Sequence, residues 1–189
     1  MTEPMKNSYH SSHLLEAVEH RIPIDKVLVQ KSDLNFRDHE GRNALYWAIT
    51  NKSIRNVSIL LEHNISLMVE KNLHALFHAI ESNNLEALVY LLKQGVDVNM
   101  QNSIGQTGVM KALEMESIMM VRNLVNHGAD LSIMDDNYDM AIDYATRCKN
   151  SDIYNLIHYK LLYEELKTEQ KDCIGCAFSQ SSCNETKEF

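Results

Sequence analysis

Between His74 and Asn99 the chain reads HALFHAIESNNLEALVYLLKQGVDVN, and its apolar positions form two short stripes at helical spacing. Ala75, Leu76, Ala79 and Ile80 make one face, and Leu85, Leu88, Leu91 and Leu92 make a second. Asn83-Asn84 between them predicts a turn and a helix start, and Gly95 supplies the residue that turns left-handed after the second helix. So short a helix pair cannot bury both stripes by itself, so neighbours of the same kind are expected.

The pattern recurs. Leu14/Ala17, Leu45/Ala48, Leu76/Ala79, Val109/Ala112 and Ile142/Ala145 are spaced 31, 31, 33 and 33 residues apart. A second anchor, Leu60, Leu91, Leu124 or Ile157, follows each of the last four Ala by 12 residues. A turn residue then follows as Asn64, Gly95 and Gly128. Period-two alternation is scarce, which predicts an all-α chain.

Several segments sit in that register: Asp38-x-x-Gly41-x-Asn43-Ala44-Leu45-Tyr46-x-Ala48, Asp97-Val98-Asn99, Gly105-x-Thr107 and Gly128-Ala129-Asp130. Together they resemble the ankyrin repeat, a unit of about 33 residues with the signature T-P-L-H-x-A. The resemblance covers roughly residues 10–167. It implies an all-α ankyrin-repeat solenoid of stacked helix-turn-helix units with loop or hairpin fingers. The expected units are 10–37 (an atypical N-terminal cap), 38–68, 69–101, 102–134 and 135–167, with flexible segments at 1–9 and 168–189.

The departures from the family pattern carry their own expectations. Ala44, Ala75, Gly108 and Ala141 replace the family's Pro, and only Thr107 keeps its Thr. The loop-to-helix hydrogen bonds of the family are therefore not expected in most units. The connection from Asn64 to Leu76 is two residues shorter than that from Gly95 to Val109, so the finger Ile65–Leu73 should be blunt and apolar. Arg21-Ile22-Pro23-Ile24 predicts a tight turn before a short helix from Asp25 to Val29.

Charge narrows the partners. A formal net charge of −8 argues against a general binder of nucleic-acid phosphates, which needs clustered Lys and Arg. No apolar run approaches the ~18 residues of a membrane span, and MTEPMKNSYHSSH lacks the apolar core of a signal peptide. An intracellular, cytoplasmic protein is expected.

Candidate chemistry is sparse. His74-x-x-x-His78 puts two imidazoles on one helical face, but Ala75 follows where a zinc hydrolase has Glu, so a structural role is expected. Cys173-x-x-Cys176 with Cys183 leaves open a plain tail, a small zinc site, a reversible disulfide or acylation. Cys148 reads as a half-buried thiol. Met110, Met115, Met119 and Met120 fit either core filling or an adaptable surface, and Trp47 beside Tyr46 either core or a binding anchor. Asp135, Asp136, Asp139 and Asp143 predict a negative patch at the fourth finger that would suit a basic partner. There is no Ser-His-Asp order, phosphate loop or supported carboxylate pair, so no enzyme activity and no cofactor are expected.

What the resemblance implies is protein binding through finger tips and first helices. By register those positions are His39, Glu40, Arg42, Thr50 and Asn51 in the first full unit, and Leu73, Glu81 and Ser82 in the second. Ser103, Ile104, Gln106, Glu114 and Met115 follow in the third, and Asp136, Asn137, Asp139 and Arg147 in the fourth. Two alternatives remain at this point: an exported bacterial effector-type adaptor acting in a host cytosol, and a metal or redox switch in the cysteine tail.

Overall fold

The computed structural model describes residues 3–180, with side chains described for residues 9–167. Helices α1 (Glu3–Glu19) and α2 (Lys26–Lys31) form the first unit, and α3 (Ala44–Thr50) with α4 (Ile54–Glu62) the second. A two-stranded hairpin follows, β1 (Met68–Glu70) and β2 (Leu73–His74), leading into α5 (Ala75–Glu81) and α6 (Leu85–Lys93). The last pairs are α7 (Gly108–Glu114) with α8 (Ile118–Asn126), and α9 (Ala141–Arg147) with α10 (Ser151–Gln180).

First helices stack in the order α1-α3-α5-α7-α9 and second helices in the order α2-α4-α6-α8-α10. This is the expected all-α solenoid. Leu45, Ala48, Leu76, Ala79, Ala112, Ala145, Leu60, Leu91, Leu124 and Ile157 are all fully buried, so the repeating anchors form one continuous core. Ile142 is only half-buried at its edge.

Turns repeat with the same period as the anchors. Arg21, Lys52, Asn83 and Glu116, one in each of the first four turns between paired helices, all have positive φ. Left-handed backbone costs a side-chain-bearing residue about 1–2 kcal/mol relative to glycine. Lys52→Gly, at an exposed site, is therefore expected to stabilise the fold by up to about 1 kcal/mol after glycine's extra unfolded-state entropy is counted, read as a rise in urea midpoint.

Buried amides fasten unit to unit. Asn56 is fully buried; its Nδ2 donates to Ile22 O at 3.0 Å and its Oδ1 accepts from Ile24 N at 3.2 Å. Asn84 Nδ2 donates to Ile49 O at 2.8 Å while its Oδ1 caps α6 at Ala87 N. Asn51, expected on the presented face, is instead half-buried and donates to Val18 O and Glu19 O, closing the first unit onto the second. Each satisfies backbone carbonyls that stacking would otherwise leave dry.

Two local expectations change, and the two ends of the described backbone are helical. Asn43 and His74 take over helix capping where the family's Thr is absent, accepting from Tyr46 N at 3.1 Å and Leu76 N at 3.1 Å. The shortened finger forms the chain's β-hairpin around Lys71-Asn72, with Asn72 at φ 62° and Val69 fully buried. Residues 3–9 are helical, with Pro4 in the first turn, where its missing N–H costs nothing. Finally, α10 runs past Thr168 to Gln180, through a sequence with no Pro to end it.

Candidate functional site: finger tips and inner helical face

Three fingers share one construction. Asp38, Asn102 and Asp135 each accept, on Oδ1, the N–H groups two and four residues onward, at 2.8–3.1 Å. Such a side-chain turn fixes the loop without a regular strand. The residue three places after each, Gly41, Gly105 or Tyr138, adopts positive φ. Fingers three and four are joined, since Asp136 N donates to Ile104 O at 3.3 Å.

The second oxygen of the two aspartates is taken by an aromatic side chain nine residues on. Trp47 Nε1 donates to Asp38 Oδ2 at 3.2 Å, and Tyr144 Oη donates to Asp135 Oδ2 at 2.5 Å. Burial opposes ionisation of Asp38, but hydrogen bonds from the Arg42 N–H, the Arg42 guanidinium and Trp47 outweigh it and hold the carboxyl below its usual range. Asp135 is also held low, chiefly by the Tyr144 hydroxyl. Both contributions to stability are present above the ordinary carboxylate pKa and are lost as pH falls through the depressed value.

Along the inner face the polar groups link neighbouring units. Tyr46 stacks on His78 at 4.1 Å, and His78 Nε2 lies 2.9 Å from Thr50 Oγ1 and 3.2 Å from Tyr46 O. Lys111 bridges Glu81 at 3.6 Å and Glu114 at 3.3 Å. Gln106 Nε2 donates to Glu114 Oε1 and Tyr144 Oη, and Arg147 pairs with Asp139 at 2.6 Å.

His74 and His78 have separate structural partners, and burial lowers the pKa of both imidazoles. The unfolded chain then binds more protons near pH 6, so stability is full above about pH 6.5 and declines below it. The urea midpoint is expected to drop between about pH 7.5 and about pH 5.5, and to drop less in His78→Gln. An equal drop in both proteins would contradict this assignment.

The register-predicted residues divide by exposure. His39, Glu40, Thr50, Glu81, Ser103, Ile104, Glu114, Met115, Asp136, Asn137 and Arg147 are exposed. Arg42, Leu73, Ser82 and Asp139 are half-buried. Arg42 is committed to Asp38 at 2.8 Å, to Glu40, and to the Trp47 ring at 4.4 Å, so it builds the first finger rather than standing free. Leu73 pairs with Glu70 in the hairpin, and Ser82 lies 3.5 Å from His78. Gln106, at 4% exposure, is an internal strut.

The expected acidic patch is mostly internal bonding as well. Asp135 is buried, Asp139 is paired with Arg147, and Asp143 caps Met140 N at 2.8 Å. Among the four methionines, Met110 and Met120 fill core while Met115 and Met119 are exposed. Half-buried Trp47 serves both packing and the finger network. Half-buried Cys148 donates its thiol to Leu113 O and Tyr144 O beside a cavity of about 160 Å³.

Tyr138 was absent from the register-based set. It is 82% exposed with φ 65°, and its position matches Gly41 and Gly105 in the other fingers, which is the signal that identifies it. No group of three His, Cys, Asp or Glu among the described residues is arranged to hold a metal ion. Cys173 and Cys176 fall on the part of α10 whose side chains are not described, and Cys183 lies outside the described residues.

The sequence profile described as "Ankyrin repeats (3 copies)" matches residues 14–102 and 76–165. The chain belongs to the ankyrin-repeat family. Its ankyrin domain is 29% identical over 160 residues to the mouse B-cell lymphoma 3 protein homolog, covering 79% of this chain and 36% of that protein. It is 30% identical over 152 residues to human B-cell lymphoma 3 protein, covering 76% and 33%. Chicken nuclear factor NF-kappa-B p105 subunit matches at 27% over 143 residues, covering 71% and 14%. The chain thus spans about a third or less of these relatives. Ankyrin repeats are protein-protein interaction modules. No helix among the described residues is long and apolar enough to cross a membrane.

Proposed function

We propose that the chain is a non-catalytic adaptor or inhibitor that holds a partner protein against its third and fourth fingers and the adjoining inner helices. The observation that carries this reading is the pairing of Ile104, 51% exposed, and Tyr138, 82% exposed, on fingers tied by the Ile104 O to Asp136 N bond. Exposed apolar groups on a braced backbone lose little conformational freedom on binding, which is the requirement for an anchor. Met115, 38% exposed, extends the surface onto α7.

The partner is a protein rather than a nucleic acid, in keeping with the net charge of −8. Affinity capture from native extract tests this with the intact chain and an Ile104→Ala, Met115→Ala, Asp136→Ala, Tyr138→Ala variant. A partner retained by the intact chain after nuclease treatment, and lost by the variant at equal helix content, is the expected result. Equal capture by both forms would contradict it. Tyr138→Gly alone should weaken capture yet raise the melting temperature by about 2–4 °C, because it relieves left-handed strain.

A further inference from the structure

Three of the connections that leave the second helices contain the same turn. In Asp33-Leu34-Asn35, Asp97-Val98-Asn99 and Asp130-Leu131-Ser132 the Asp Oδ1 accepts the N–H two residues on, each at 2.9 Å. The aliphatic residue in the middle turns inward: Leu34 and Val98 are half-buried against the core, and Leu131 is buried within it. The second unit lacks this turn. Arg37 Nη2 donates to Met68 O as Gln101 Nε2 donates to Met134 O, which puts Met68 and Met134 in the same register. From Asn64 the chain reaches Met68 in four residues, whereas it takes six from Gly95 to Gln101 and six from Gly128 to Met134. The two residues missing from the second unit are the Asp and the aliphatic one.

At that place a cavity of about 240 Å³ opens between the C-terminal ends of α4 and α6. Leu61, Ile65, Leu67, Leu91 and Val96 line it, and its other two groups are the neutral amides of Asn64 and Gln94. An apolar cavity of about 150 Å³ already admits a benzene-sized molecule, so a leucine side chain fits here. Next to Val96 stands a backbone donor with no acceptor. One unit later Asp130 N donates to Asn99 Oδ1 at 2.8 Å, fastening the third connection to the fourth. In the second connection Ser66 holds the place of Asn99, and its hydroxyl accepts from Met68 N at 3.3 Å instead. Among the described residues nothing accepts from Asp97 N.

We propose that this cavity receives one aliphatic side chain, of leucine or isoleucine size, from an extended segment of a partner protein whose backbone carbonyl accepts from Asp97 N. The other connections show what fits, since each fills the equivalent place with its own Leu34, Val98 or Leu131. A peptide carbonyl reproduces the amide oxygen that Asn99 offers to Asp130 N, whereas an anionic acceptor would meet the carboxylate of Asp97 itself. The lining carries no charged group, so a charged side chain would lose its hydration without gaining a partner. None of the lining residues belongs to the third or fourth finger, so this site stands apart from the surface proposed above.

Methyl NMR of the full chain, titrated with N-acetyl-leucine-N-methylamide, is the test. The expected result is a saturable shift at Leu61, Leu67 and Leu91, with a dissociation constant on the order of millimolar, as suits a single anchor. The glycine analogue, which lacks the side chain, and isopentanol, which lacks the amide, should each bind at least about threefold more weakly. Inserting Asp-Val between Ile65 and Ser66 copies the third unit; it should abolish the shift and raise the urea midpoint. Leu61→Lys sets a charge at the edge of the cavity and should abolish the shift at Leu67 and Leu91 with unchanged circular dichroism, which decides the matter even if the insertion prevents folding. No saturable shift in the native chain, equal binding of either analogue, or undiminished binding in Leu61→Lys would each overturn the proposal.

Discussion

Leu91→Ala is expected to destabilise the chain by about 3–4 kcal/mol, near the upper part of the range for a buried leucine. Leu91 is fully buried at the centre of the stack, in the unit that contacts repeats on both sides. Truncation removes its transfer free energy and leaves a cavity that two short helices cannot close. Because each repeat is stabilised mainly by its neighbours, a weakened central unit should also uncouple the two ends. Urea unfolding should show an earlier midpoint and a broader transition than wild type. Leu61→Ala, in the preceding unit one place past the equivalent anchor Leu60 and only half-buried, should cost clearly less. Equal losses at the two positions would contradict the assignment of Leu91 as the anchor.

Gly105→Ala is expected to cost about 2–4 kcal/mol and to separate the third finger from the fourth. At φ 74° any Cβ is strained, and here it would stand 2.7 Å from Asp136 Oδ1 and 2.8 Å from Asp136 N. The nitrogen belongs to the backbone that bonds Ile104 O, so relief requires breaking the contact between the fingers. Gly41, at φ 82°, has nothing within 4 Å of such a Cβ. Gly41→Ala should therefore cost only the backbone strain, about 1–2 kcal/mol. Melting of the two variants measures the difference, and partner capture should fall in Gly105→Ala even at temperatures where it remains folded.

Legibility in the sequence followed the range of the interactions. The Leu-x-x-Ala anchors and the residues twelve places on are apolar, periodic and, apart from half-buried Ile142, buried, so spacing alone located them. The αL positions Lys52, Asn83 and Glu116 share that period but not a residue type, and only the backbone shows the series. The finger networks were hidden for a different reason. Asp38 with Trp47 and Asp135 with Tyr144 are pairs nine residues apart across a loop and a helix, so no local pattern joins them.

The same limit explains the candidate surface. Register separates first-helix positions from core, but it cannot tell a presented side chain from one spent on a neighbouring unit. Gln106 reaches Tyr144 from 38 residues away, and Asn51 reaches Val18 from 33. Both lie in sequence where an exposed polar residue would lie. Tyr138 ran the other way: no register position marked it, yet it is 82% exposed on a left-handed turn.

Hydrogen-deuterium exchange of the chain, with and without a captured partner, tests the account most directly. Protection on binding should concentrate at residues 102–106 and 134–139 and along α7 and α9, with α4, α6 and α8 unchanged. Protection confined to those outer helices, with the third and fourth fingers exchanging as freely as in the isolated chain, would contradict it.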